Sequence, residues 1–195
     1  MDTALYFDTL NPDLLHRELA GWRAAAPQCG VLALLAEADG MHLPILQQAA
    51  RAAGIPLVGA IFPALLHAGE FVPRGVWLLS LNPMPPHALI ADLNQTSTPA
   101  DAILAELEQT LGEGDAPTTL LLFCDAMLAN IGSILEALYL RLADRVRYMG
   151  ANAGSETFQP MACLFDDHHV VANGVLGLLL PDAHGAVLEH GYLPP

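Results

Sequence analysis

Gly30-Val-Leu-Ala-Leu-Leu-Ala36 is seven residues long, without a charge or a polar side chain. A short apolar run of this kind, bounded by turn residues, predicts a strand covered on both faces rather than a surface helix. Its surroundings decide the class. Upstream, Asn11-Pro12-Asp13 opens a helix, with Asn as cap, Pro in the first turn and Asp at the positive end of the dipole. Leu15, Leu19, Trp22 and Ala26 then fall on one face. Downstream, a helix is expected over about 42–53, stopped by Gly54 in a left-handed cap, and a strand over 55–62. Strand, helix, strand in that order makes a parallel pair with a crossover.

Outward from there the pattern recurs. Residues 4–8 predict an opening strand, and 75–81 and 87–93 two more, read as a hairpin across Asn82-Pro83-Met84-Pro85-Pro86. Thr98-Pro99-Ala100-Asp101 starts a helix that Gly112 and Gly114 stop. Residues 118–124 predict a second buried strand. Ser133-Ile-Leu-Glu136 reads as a capping box launching a helix to about 144, followed by a strand over 146–150 that ends at Gly150. Strands are expected at 160–165 and 170–180, paired across Asp166-Asp167-His168-His169, and a last one near 186–190. Val31–Ala36 with Asp39 parallels Leu120–Cys124 with Asp125, and Gly59-Ala60 parallels Gly150-Ala151. The expectation is an α/β fold. Mixed parallel and antiparallel sheets are covered by helices, as a four-layer αββα sandwich of two related halves, about 1–95 and 96–195, in one domain.

Composition narrows the function. The chain has 195 residues, 53% hydrophobic and 14% charged. A chain this long buries roughly 70% of its unfolded surface, so it needs neither disulfide nor metal to fold. Twenty-one acidic residues stand against seven basic ones, all Arg, for a net charge of −14. The absence of Lys excludes a lysine Schiff base and a P-loop lysine. The acidity argues against nucleic acid and against an anionic membrane surface as partners. Asp2 and Asp8 stand where a secretory leader carries positive charge, and Cys29, Cys124 and Cys163 form no pair or metal spacing. The expectation is a cytoplasmic protein with buried, reduced thiols. The longest uncharged stretch, 52–69, is broken by Gly54, Pro56, Gly59 and Pro63, which fits a strand and an irregular loop better than a membrane span.

Gly150, Ala153, Gly154, Phe158, Phe165, Asp167, Asn173 and Gly174 follow one another in the order of a family pattern: a strand ending in a small-residue loop, a Phe, a strand, an acidic turn and a second strand. On these residues the chain resembles the N-terminal FIST domain, a ligand-sensing module of bacterial signalling proteins. Ile55-Pro56-Leu57-Val58-Gly59 resembles the family's first half, and Glu189-His190-Gly191-Tyr192-Leu193-Pro194-Pro195 its linker towards a C-terminal domain. One segment departs from the pattern. Where the family shows Gly, Cys, small hydroxyl residues and Ala-Gly-Glu, this chain has Gly59-Ala-Ile-Phe-Pro-Ala-Leu-Leu-His-Ala-Gly69-Glu70. The resemblance implies a non-enzymatic sensor of small ligands such as amino acids, acting on a signalling partner or a C-terminal effector domain, and it allows a homodimer.

Ligands of open α/β sheets sit beyond the carboxyl ends of parallel strands. Four loops qualify: Glu37–His42, Ala60–Glu70, Asp125–Gly132 and Ala151–Phe158. The expected ligand-binding residues are Asp39, Gly59, Ala60, Asp125, Gly150, Ala151, Asn152, Ala153, Gly154 and Ser155. The small residues allow close approach of a ligand to backbone amides. The two Asp would receive an ammonium group or cap a helix. Asp166-Asp167-His168-His169 is read as a polar hairpin tip rather than a metal box. No catalytic residues, metal or cofactor are expected. Two alternatives stay open: a haem-binding gas sensor using His67, and a hydrolase on the αββα fold, for which no activated nucleophile is evident by spacing.

Overall fold

The structure, a computed structural model, describes residues 3–108 and 118–181. Its strands are β1 (Ala4–Phe7), β2 (Gly30–Ala36), β3 (Leu57–Phe62), β4 (Leu65–His67), β5 (Glu70–Val72), β6 (Val76–Leu81), β7 (His87–Ile90), β8 (Thr118–Asp125), β9 (Val146–Ala153), β10 (Leu164–Asp166), β11 (Val170–Val171) and β12 (Val175–Pro181). Its α-helices are α1 (Pro12–Ala25), α2 (Leu43–Ala53), α3 (Pro99–Glu108) and α4 (Ile131–Leu142).

The helix signals act as the sequence implies. Asn11 Oδ1 accepts the backbone N–H of Asp13 and of Leu14 at the head of α1, while Leu15 and Leu19 are fully buried. Gly54 closes α2 at φ +63°, a conformation that costs glycine little.

The strands form a mixed α/β fold. A six-stranded sheet runs β1-β6-β2-β3-β10-β11, and a four-stranded sheet runs β7-β12-β8-β9. β2 pairs parallel with β3, and β8 with β9; the other ladders are antiparallel. The two sheets share one connectivity. In each, an edge strand leads through a helix to a central strand, through a second helix to its parallel neighbour, and through a hairpin to a return strand. That return strand (β6 or β12) inserts between the edge and central strands.

The halves are not separate. β10 leaves the second half to pair with β3, setting Leu164 opposite Ala60 and Phe165 opposite Gly59. Alternate residues of β8 and β12 serve two cores. Leu121, Phe123, Leu176 and Leu178 join the cluster that contains β2, β3, α1 and α2, while Leu120, Leu122, Cys124, Val175 and Leu179 pack with α3 and α4. The mixed sheets and the α-helices make the expected α/β fold.

Several boundaries differ from expectation. β6 and β7 do not form a hairpin: β6 lies between β1 and β2, and β7 lies beside β12 in the other sheet. Pro83, Pro85 and Pro86 lack the N–H groups that a tight ladder needs, so the segment crosses between sheets instead. It is tied by Met84 N–H to the Gln28 carbonyl and by Leu179 N–H to the Pro86 carbonyl.

α4 starts at Ile131, not Ser133. Asn130, in the left-handed region at φ +58°, turns the chain into the helix, and Ser133 lies inside the first turn. The expected strand over 170–180 is two strands, because Asn173 at φ +49° breaks it. The irregular loop expected after β3 contains the β4–β5 hairpin. Gly112, Gly114, the strand near 186–190 and Glu189–Pro195 lie outside the described residues. Among the described residues, no helix is long and apolar enough to cross a membrane.

Candidate functional site

β2, β3, β8 and β9 deliver their carboxyl ends to one region. Gly154 N–H donates to the Ile61 carbonyl at 2.9 Å, joining the end of β9 to the end of β3. Two residues on, Glu156 N–H donates to Glu37 Oε2 at 2.9 Å, joining the same loop to the turn after β2. Ala126 N–H donates to the Ala153 carbonyl at 2.8 Å and closes the exit of β8 against that of β9. Ser155 sits buried in the loop, its Oγ within 2.9 Å of Thr157 Oγ1 and accepting the Thr157 N–H. Phe158 follows at φ +54° with 73% of its surface exposed, two residues beyond Glu156.

The anticipated glycines have a structural explanation. Gly150 to Ala153 are not a loop but the last half of β9, with Ala153 buried. A Cβ at Gly150 would lie 1.9 Å from the Leu122 carbonyl oxygen, and one at Gly59 would lie 2.1 Å from that of Ala33. Both glycines therefore let a parallel neighbour approach. Gly59 and Ala60 lie inside β3 and are buried, away from any strand exit. Of the expected residues, Gly150, Ala151 and Asn152 are exposed on β9, and Gly154 and Ser155 are buried just beyond its end. At Gly154, φ is +137° and a Cβ would meet only Ala126 Cβ, at 3.6 Å.

Asp39 and Asp125 are brought close to the strand exits, but as braces. Asp39 is buried. Its Oδ2 accepts the Gly75 N–H at 2.6 Å, its Oδ1 accepts from Arg74 at 2.9 Å, and His42 Nδ1 stands 3.6 Å from Oδ1. Burial pushes its carboxyl up, but the Arg74 and Gly75 donors outweigh that and hold it below the ordinary value of 3.8. Asp125 accepts the Met127 and Asn173 N–H groups at 2.8 and 2.6 Å. These bonds are the capping role weighed from sequence, at a loop rather than a helix.

The thiols are poor nucleophiles. Burial and the nearby Asp125 carboxylate push Cys124 up to about 11 and Cys163 up to about 12, and burial also raises Cys29. His67 lies against the Tyr6 ring, centroids 3.9 Å apart and planes 14° apart, and 5.5 Å from Trp77; its Nδ1 is buried without a partner. Among the described residues no group of three or more His, Cys, Asp or Glu could hold a metal ion. Asp166 is spent on its own turn, accepting the N–H groups of His168 and His169. A hollow of about 490 Å³ beside it, lined by Arg51, Gly54, Ile55, Pro56, Asp167 and His168, lies at the amino end of β3, away from the strand exits.

The family model of the FIST N domain matches residues 31–194, which leaves out β1 and α1 but includes every strand exit just described. The chain belongs to the FIST N-domain family. It is thereby a signal-transduction sensor domain. No curated protein matches the chain. In this FIST N domain Glu37, Glu156 and Thr157 lie in two of the four anticipated strand-exit loops, directly beyond the ends of β2 and β9, though they are not among the expected ligand-binding residues.

Proposed function

We propose that the chain is a non-enzymatic sensor that binds a small amine-bearing ligand, of the amino-acid class, at the ends of β3 and β9. The observation that carries this reading is the pair of backbone N–H donors from one loop, Gly154 to the Ile61 carbonyl and Glu156 to the Glu37 carboxylate, which draws both halves to one place. A ligand there touches both sheets at once and biases their relative packing. Glu37 and Glu156 place negative charge there and suit an ammonium group; the exposed ring of Phe158 offers it a π face. The high thiol pKa values and the pairing of Ser155 with Thr157 rather than with a histidine weigh against the hydrolase alternative. The haem alternative is weakened by the Tyr6 ring stacked on His67.

A thermal-shift screen of amino acids, simple amines and amine-free carboxylic acids tests the reading. A specific binder at about 100 times its Kd stabilises by about 2.7 kcal/mol, or about 5–10 °C for a chain of this size. Shifts confined to amine-bearing compounds support the proposal. Shifts only with amine-free acids, or with none of the panel, overturn it.

A further inference from the structure

We infer that the outer face of the β4–β5 hairpin is a docking surface for a partner polypeptide that carries basic residues around apolar anchors. Leu66 and Phe71 are direct cross-strand partners on that face, and they are 60% and 80% exposed. The opposite face is already seated: Leu65 is buried, and His67 stacks on Tyr6. Trp77 Nε1–H donates to the Leu66 carbonyl at 3.0 Å. Two large side chains turned outward side by side, on a hairpin whose other face already has its packing, serve no folding purpose.

Both ends of the hairpin are fastened to the strand exits. Phe62 packs edge-on against Phe123 at 5.7 Å, and Gly75 is held by the Asp39 carboxylate. A partner on Leu66 and Phe71 therefore grips the segment that links β3 to β6.

Charge selects the occupant. Glu70, cross-strand from His67, is exposed at the rim of the hairpin, Asp8 is exposed after the strand that carries Tyr6, and Arg74, two residues beyond the hairpin, is already paired with Asp39 at 2.9 Å. The whole chain is at −14 with no Lys. A second copy brings the same charge, and an anionic bilayer repels it; a basic, apolar-anchored segment gains on both counts. The inference goes beyond the ligand reading and needs no ligand, so the failure of either leaves the other standing.

The test uses two fluorescently labelled peptides of about 18 residues, long enough to form an isolated helix. Both carry a leucine stripe on one face, and one has lysines, the other glutamates, on the rest. Anisotropy with the whole chain is expected to show salt-sensitive binding of the lysine peptide alone. The double variant Leu66→Ser/Phe71→Ser is expected to bind about tenfold more weakly, with its melting temperature kept because both side chains face solvent. Glu70→Gln, which leaves the apolar pair intact, is expected to weaken binding and flatten its salt dependence. Equal binding by the double variant, equal binding of the glutamate peptide, or no binding to the native chain overturns the inference. So does self-association, or binding to neutral phosphatidylcholine vesicles, that disappears in the double variant, because either gives the face a different occupant.

Discussion

The Asp39 carboxylate and the Gly75 amide lie 2.6 Å apart, 36 residues apart in sequence, and the same relationship recurs at 2.6 Å between Asp125 and Asn173. In both halves a buried acid at the end of the central strand holds the backbone that leads into the return strand. The two acids do not hold equivalent positions. The Ala36 N–H donates to the Gly75 carbonyl just as the Asp125 N–H donates to that of Gly174, so Asp125 matches Ala36, and Asp39 reaches the same task from three residues later. Bonds from buried amides to a carboxylate are among the stronger ones in a fold, each contributing about 1.5–3 kcal/mol.

Asp39→Asn is expected to lower stability, and the loss should depend on pH with a definite sign. The folded carboxyl titrates below 3.8, so its contribution is complete above that value and disappears as pH falls through the lower folded value. Urea unfolding of both proteins between neutral pH and about pH 2 should show midpoints that differ near neutrality and converge in acid. A gap that widens in acid contradicts the assignment.

Gly150→Ala and Gly59→Ala are each expected to destabilise by about 1–3 kcal/mol or more, because the new methyl meets a carbonyl oxygen of the neighbouring strand. Gly132→Ala, in α4 with open space around its Cβ position, should be neutral or stabilising by up to about 1 kcal/mol. Denaturation midpoints of the three variants check the ordering.

His67→Phe retains a ring against Tyr6 while removing a buried nitrogen that has no partner. Stability should hold or rise by up to about 1 kcal/mol. A melting temperature lowered by several degrees would mean that the imidazole makes an interaction the ring stack does not include.

All three cysteines are buried, with thiols raised above their ordinary value. The native protein should resist a thiol-labelling reagent at mildly alkaline pH and react fully only in denaturant. Rapid labelling of Cys124 or Cys163 in the folded chain would reopen the cysteine-nucleophile reading.

How far the sequence carried depends on which force governs each element. The buried strands and α1 and α2 were legible because their signals are local: apolar runs, Asn11 as cap, Gly54 at positive φ. The partner of β7 was not, since strand pairing is decided by tertiary packing, and the proline-rich turn at 82–86 is compatible with a hairpin or a crossing. The strand at Gly150 is expected to end there but runs on to Ala153, because a glycine that lets two strands close together has the same composition signature as one that opens a turn. Beyond β9, the small-residue pattern marked the turn at Gly154, which has φ +137°. Glu37 and Glu156 lie in two of the anticipated strand-exit loops, but nothing in one sequence singles them out within those loops from the other acids of a chain at −14.

The central claim is that an amine-bearing ligand binds where Glu37 meets the Gly154–Phe158 loop. Titration calorimetry with the amino-acid panel, on the native chain and on Glu37→Gln, tests it most directly. Gln retains an oxygen for the Glu156 N–H and removes only the charge. The account predicts saturable heat from at least one amino acid and an affinity lowered about tenfold or more in the variant, as expected when a charged partner is lost. A ligand that binds both proteins equally would contradict it.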